Sequence, residues 1–207
     1  MQLTGMDPLF VLYICILAFV LGAVFGSFLN CMAWRIAHHE SVLKGRSHCA
    51  VCGHPLKAAD LIPIVSYLVL KGKCRYCGDK ISPRYMLSEL LLAGLYLVMI
   101  LRFGLTFEAL RAIVLVSVLF TLSLVDLEIY EIPNGFILFG IIWWAVCLPL
   151  MGEPIPDQLV KGLIGGGVIA GAVLLVSLIF DKLLGKESMG GGDIKLFFMT
   201  GLYLGIG

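Results

Sequence analysis

"LFVLYICILAFVLGAVFGSFLNCMA", residues 9–33, contains no charged side chain. A helix needs about 20 apolar residues to cross a bilayer, and this run supplies them. No basic segment precedes it and no small-residue cleavage site follows, so it reads as a retained membrane helix rather than a signal peptide. The same reading continues along the chain and predicts further spans at 86–103, 108–126, 135–151 and 159–180, with another starting near 194. That last run has only about 14 residues before the sequence stops, and it reads as C-terminally incomplete. The composition agrees: 60% of the 207 residues are hydrophobic and 14% charged, with a mean hydropathy of +1.01. Soluble domains carry about 25% charged residues. The expectation is an all-α polytopic membrane protein with about six transmembrane helices. A net charge of +1 gives no electrostatic case for an acidic polymer, so a nucleic-acid partner is not expected.

The distribution of charge is more informative than its sum. Residues 35–84 hold all four histidines and nine of the fifteen Lys and Arg, namely Arg35, Lys44, Arg46, Lys57, Lys71, Lys73, Arg75, Lys80 and Arg84, while residues 1–34 hold no Lys or Arg. By the positive-inside rule this loop is cytoplasmic and the N-terminus is outside. Threading onward puts Arg102 and Glu108 outside, and Asp126, Glu128 and Glu131 inside. Glu153 and Asp157 then fall outside, and Asp181, Lys182, Lys186 and Glu187 inside. Asp126 and Asp193 therefore share one side of the membrane at similar depth. Three divisions follow: a first helix in 1–34, a polar loop domain in 35–84, and a helical core in 85–207. The glycine-rich "GLIGGGVIAGAVLL" (162–175) reads as a surface where helices approach closely.

Two groups of residues suggest chemistry. The first is the aspartate pair. A carboxylate at membrane depth is costly and marks a functional site by default. Two neighbouring carboxylates share one proton. The ionised member then activates water and the protonated member donates to a carbonyl oxygen, which is peptide hydrolysis without a metal. In "ESMGGGDIKLF" (187–197), Gly190, Gly191 and Gly192 let a substrate strand approach the backbone beside Asp193. The plainer readings are that Asp193 caps a helix and that Asp126 is a polar helix end.

The second group is the cysteines. Cys49, Cys52, Cys74 and Cys77 form two C-x-x-C pairs separated by 21 residues, a spacing that suits metal rather than disulfides. Four thiolates complete a tetrahedral, structural zinc site, and a reducing cytoplasm disfavours disulfides. Redox chemistry is the alternative. His48 and His54 flank the first pair and read as surface residues.

The segments "GAVFGSFLNCMAWRI" (22–36), "GKCRYCGDKISPRYMLSELL" (72–91), "DLEIYEIPN" (126–134) and "GGGDIKL" (190–196), in this order, resemble the bacterial type IV prepilin peptidase family of membrane aspartic proteases. The resemblance runs from about residue 20 to the end. It implies a bacterial inner-membrane endopeptidase that removes the basic leader of prepilins or pseudopilins on the cytoplasmic side. It also implies methylation of the new N-terminus with S-adenosylmethionine. The catalytic aspartates map onto Asp126 and Asp193, and the methyl-transfer region onto the loop with Gly72, Lys73 and, at the start of the second span, Glu89. Lys195, Glu128 and Glu131 are supporting or substrate-binding candidates, the two glutamates as receivers of the basic leader. Membrane lipid is the surrounding partner. The chain departs from the family pattern at Glu128, where a second aspartate is common, and at "AADLIPIVSYL" (58–68), where Asp60 stands without the usual neighbours. Two other readings compete. A proton-coupled transporter would need ionisable groups nearer mid-membrane and repeated halves. A non-catalytic zinc-stabilised scaffold would tolerate replacement of both aspartates.

Overall fold

The computed structural model describes residues 5–42, 45–185 and 189–206. Lys44, Lys186, Glu187 and the terminal Gly207 lie outside them. Among the described residues the chain is helical, with no strand beyond two isolated bridges. The helices are α1 (Pro8–Ala37), α2 (Val65–Val69), α3 (Pro83–Phe103), α4 (Phe107–Ile129), α5 (Asn134–Cys147), α6 (Ile155–Leu184) and α7 (Gly191–Leu204). Short 3-10 turns add Ala58–Asp60 and Leu148–Leu150.

Every predicted span is a helix, but they differ in length. Four, α1, α3, α4 and α6, are long and apolar enough to cross a membrane. The protein is therefore an integral membrane protein. α5 and α7 have 14 residues each, about 21 Å at 1.5 Å per residue. A hydrocarbon core is about 30 Å thick. The structure thus supports four of the six expected spans; α5, continued by its 3-10 turn to Leu150, is a shorter apolar helix.

The helix ends follow local chemistry. Asp7 accepts the Leu9 and Phe10 N–H groups at 2.8 and 3.3 Å ahead of Pro8. Ser82 and Thr106 cap α3 and α4 in the same way.

The chain forms two compact units, residues 1–130 and 131–207. In the first, α1, α3 and α4 pack on one another around Leu29, Ala33, Leu92, Tyr96, Phe120, Leu124 and Val125. α1 presents Gly22 and Gly26 to α3. A Cβ at Gly26 would meet the Glu89 backbone at 2.9 Å, and one at Gly22 the Ala93 backbone at 2.7 Å. Lipid is as apolar as leucine, so close backbone approach is what holds such helices together. Asn30 Nδ2 adds a buried hydrogen bond to Ser88 Oγ at 2.7 Å.

In the second unit α7 packs on α5 and α6. Gly165 and Gly166 of α6 face Gly201 of α7 so closely that a Cβ at Gly201 would lie 2.6 Å from the Gly166 Cα. The glycine-rich stretch is thus the packing surface its composition predicts. Trp144, Leu148 and Leu202 form the apolar centre, and Tyr203 OH donates to the Gly140 carbonyl at 2.7 Å.

Candidate active and metal-binding sites

The loop between α1 and α3 is a small lobe of two knuckles. Each knuckle is a turn, C-x-x-C, closed by a bridge: His48 with Pro55, and Lys73 with Lys80. The four sulfurs of Cys49, Cys52, Cys74 and Cys77 lie within 4.8 Å of one another, and those of Cys49 and Cys77 are 4.0 Å apart. Four sulfurs at about 2.3 Å from one centre would sit about 3.8 Å apart, so a small contraction completes a tetrahedron. The N–H groups of Cys77 and Tyr76 pull the Cys74 thiol down to about 7. Cys77 receives the Asp79 N–H, but burial and the sulfurs of Cys74, Cys52 and Cys49 push it up to about 12. The neighbouring sulfurs thus compete for negative charge, and a divalent cation relieves that competition. The donor set fits a closed, structural metal site. His48 and His54 stay outside it, as expected: both are exposed. His54 lies tilted against Tyr76, ring centroids 3.7 Å apart, and His48 meets Trp34 edge-on at 5.5 Å.

Asp60 ties the lobe together. Its side chain is 4% exposed. It accepts from Arg75 Nε at 2.6 Å, Tyr76 OH at 3.1 Å and the Lys57 N–H at 3.1 Å. The Arg75 guanidinium holds its carboxyl below the ordinary carboxylate range. In the sequence Asp60 stands out only as a departure; its two side-chain partners, Arg75 and Tyr76, are 15 and 16 residues away and carry no local signal.

Gly72 and Lys73 form the turn into the second knuckle. Gly72 has φ +66°, and a Cβ there would strike the Tyr67 ring at 2.9 Å. Both the positive φ and the nearby ring favour glycine at this position. Lys73 is exposed. Glu89 is buried, and its Oε2 accepts the Ile64 N–H at 2.7 Å. It also lines a cavity of about 400 Å³ between the ends of α1 and α3 and the lobe, with Trp34, Tyr67, Tyr85, Cys49 and Cys74 also in its walls.

Asp126 lies exposed in the last turn of α4. Its carbonyl accepts the Tyr130 N–H at 2.8 Å, and Tyr130 ends the helix at φ 55°. Within the same last turn, Glu128 Oε1 accepts from Arg84 Nη1 at 2.8 Å, and Arg84 Nη2 also reaches the Leu124 carbonyl at 3.4 Å. The Arg84 contact was not foreseen, because 44 residues separate the pair. Glu131 is exposed at the start of the second unit.

Asp193 lies in the first turn of α7, but the N-cap is Gly190 and, among the described residues, no side chain caps this helix. The capping reading of Asp193 is therefore set aside. Among the described residues nothing stands within 4 Å of where a Gly191 side chain would begin, whereas a Cβ at Gly192 would meet Ile132 at 3.1 Å. Lys195 Nζ donates to Asn134 Oδ1 at 3.0 Å. The Ile-Pro-Asn element and the Gly-Gly-Gly-Asp turn, some 60 residues apart in the chain, thus pack together within the second unit. Asp126 belongs to the first unit and Asp193 to the second.

Residues 20–103 match the bacterial Peptidase A24 N-terminal domain, and residues 113–207 match the type IV leader peptidase family. The chain is 36% identical over 198 residues to a prepilin leader peptidase/N-methyltransferase of Myxococcus xanthus, covering 95% of this chain and 57% of that protein. Proteins of the same name from Bacillus subtilis and Neisseria gonorrhoeae are 36% and 32% identical, with 91% and 92% of this chain and 73% and 74% of theirs covered. No solved structure matches the chain. With both family models matched in order and the relatives aligned along nearly all of its length, the chain belongs to the type IV leader peptidase family.

Proposed function

We propose that this protein is a membrane aspartic endopeptidase that removes the basic leader of prepilin-like proteins on the cytoplasmic side and then methylates the new N-terminus. The observation that carries the peptidase reading is the Asp193 turn. Its carboxylate is not used to cap α7, and the adjoining Gly191 leaves room for a peptide backbone. Asp126 is its partner on this reading, chosen by its place upstream of Ile-Pro-Asn. One carboxylate takes a proton from water as it attacks the scissile carbonyl, and the other protonates the departing amine. The pair titrates as a unit, so the two roles are assigned to the pair. Ile132 and Asn134 position the turn through Gly192 and Lys195. Glu131 and Glu128 receive the basic leader, with Glu128 giving up Arg84 as it does so.

The four-cysteine site takes zinc, which supplies structure and no chemistry of its own. The relatives' names include N-methyltransferase. On that basis the cavity beside Glu89 is the place for S-adenosylmethionine, since its size lies within the usual small-molecule range. The loop with Gly72 and Lys73 borders the lobe that frames it. Glu89 would attract the positively charged donor or the substrate amine.

The test is cleavage of a purified prepilin by the protein in lipid, comparing wild type with Asp126→Asn and Asp193→Asn. General acid–base groups contribute about 10²–10⁴-fold each. Each variant should therefore lose at least about a hundredfold in rate while keeping its helical content and metal. A folded variant that cuts at the wild-type rate removes that residue from the mechanism.

A further inference from the structure

We propose that residues 61–69 of the metal-binding lobe form a membrane-inserted wedge, lying at the headgroup–acyl boundary on the loop's side of the bilayer. Exposed apolar side chains cluster there: Ile62 49%, Val65 52%, Leu68 61% and Val69 70%. On a polar loop such a cluster is anomalous. The anchoring hydrogen bond explains where it lies. Ile64 N–H donates to Glu89 Oε2 at 2.7 Å, and Glu89 stands six residues inside α3, which begins at Pro83. Six residues are about 9 Å of helix rise, more than a glutamate side chain can span. Even with the side chain leaning toward the helix N-terminus, Ile64 sits below the point where α3 begins.

α1 gives the same depth independently. Glu89 is level with Gly26, whose Cβ would lie 2.9 Å from the Glu89 Cα. Gly26 is about 27 Å along α1 from Pro8 at 1.5 Å per residue, close to the far boundary of a hydrocarbon core about 30 Å thick. The chain therefore leaves the membrane with α1, folds the lobe, and returns to the boundary at 61–69 before α3 enters.

Most of the segment's backbone also meets the chemical requirement for such a place. Backbone donors need partners in lipid. The N–H groups of Ile64, Ser66, Leu68 and Leu70 reach Glu89 Oε2 and the carbonyls of Ile62, Ile64 and Ser66 at 2.7–3.1 Å. Lys57, Lys71 and Lys73, all exposed, flank the apolar face and suit anionic headgroups. The occupant of this face is the bilayer itself.

The full-length chain would be placed in nanodiscs of phosphatidylcholine, with and without phosphatidylglycerol. Val69 would be replaced by the photocrosslinking residue benzoylphenylalanine, with Val51, 66% exposed on the first knuckle, replaced in a control. Irradiation at the Val69 position should give lipid adducts several-fold above the control, and their yield should rise with phosphatidylglycerol. Equal labelling at the two positions, no lipid adduct, or adducts only to another polypeptide would each overturn the wedge. Leu68→Glu/Val69→Glu should make trypsin cut after Lys71 and Lys73 several-fold faster in bilayers with metal content unchanged. An unchanged rate with metal retained would also overturn it. If the double variant loses its metal, the crosslinking result alone decides.

Discussion

The four-cysteine lobe and the α6–α7 pair are held together by opposite means. The lobe has few apolar residues to bury and stands on specific side chains: four sulfurs, and Asp60 with Arg75, Tyr76 and the Lys57 amide. The α6–α7 pair stands on missing side chains, Gly165, Gly166 and Gly201, which bring two backbones into contact. The difference follows from the surroundings. In water a small lobe cannot bury enough apolar surface to fold unaided, and metal coordination makes up the deficit. In lipid burial gives no advantage between helices, so close packing decides. One region should therefore fail when side chains are removed and the other when they are added.

The largest effect should come from the metal. Structural zinc contributes about 10–16 kcal/mol in small metal-folded domains. Chelation, or Cys74→Ser, should open the lobe, and rapid trypsin cutting at Lys71 and Lys73 would report it. A lobe that stays protected without metal would mean that the Asp60 network and apolar contacts suffice, and the contrast would break. Next is Gly201→Leu, which forces a bulky group between α6 and α7. Overpacking costs typically about 1–3 kcal/mol, and contact of the added atoms with backbone puts this site at the high end. Thermal unfolding in detergent should drop accordingly, while Gly191→Ala, with open space around it, should unfold like wild type.

Smaller effects sharpen the comparison inside the candidate site. Asn134→Ala removes the acceptor for Lys195. A hydrogen bond to a charged group is worth about 1.5–3 kcal/mol, and solvent exposure brings this one to about 1 kcal/mol. Cleavage should slow more than stability falls, because the bond positions the first turn of α7. Equal losses in both would make it merely structural. The smallest effect belongs to Arg84→Gln. The Arg84–Glu128 pair is partly exposed, at 41% and 32%, and such pairs contribute about 0.2–1 kcal/mol. Freeing Glu128 should leave stability nearly unchanged and should tighten binding of a basic leader, read as a lower KM.

Much of this was legible along the chain. Long apolar runs located the helices, since a span can be read from any window of about 20 residues. Paired C-x-x-C spacing located the metal cluster, since each knuckle is local and only one join is needed. Glycine spacing in 162–175 announced close packing. The segment 61–69 was missed, although "LIPIVSYLV" is plainly apolar. Its one helix, five residues long, is too short to register as a span in a polar loop. The Ile64–Glu89 bond that ties the segment to α3 joins positions 25 residues apart.

By itself, then, the sequence determined that this chain lives in a membrane as helices, that it carries a thiolate cluster, and which aspartates are candidates for chemistry. Those properties depend on composition and short-range spacing. Only the tertiary structure decided that the fifth helix is shorter than the four long spans, that Gly190 rather than Asp193 is the N-cap of α7, that Asn134 holds Lys195, and that Glu128 holds Arg84. Helix ends and long-range partners are settled by competition among many weak contacts, and that competition exists only once the chain has packed.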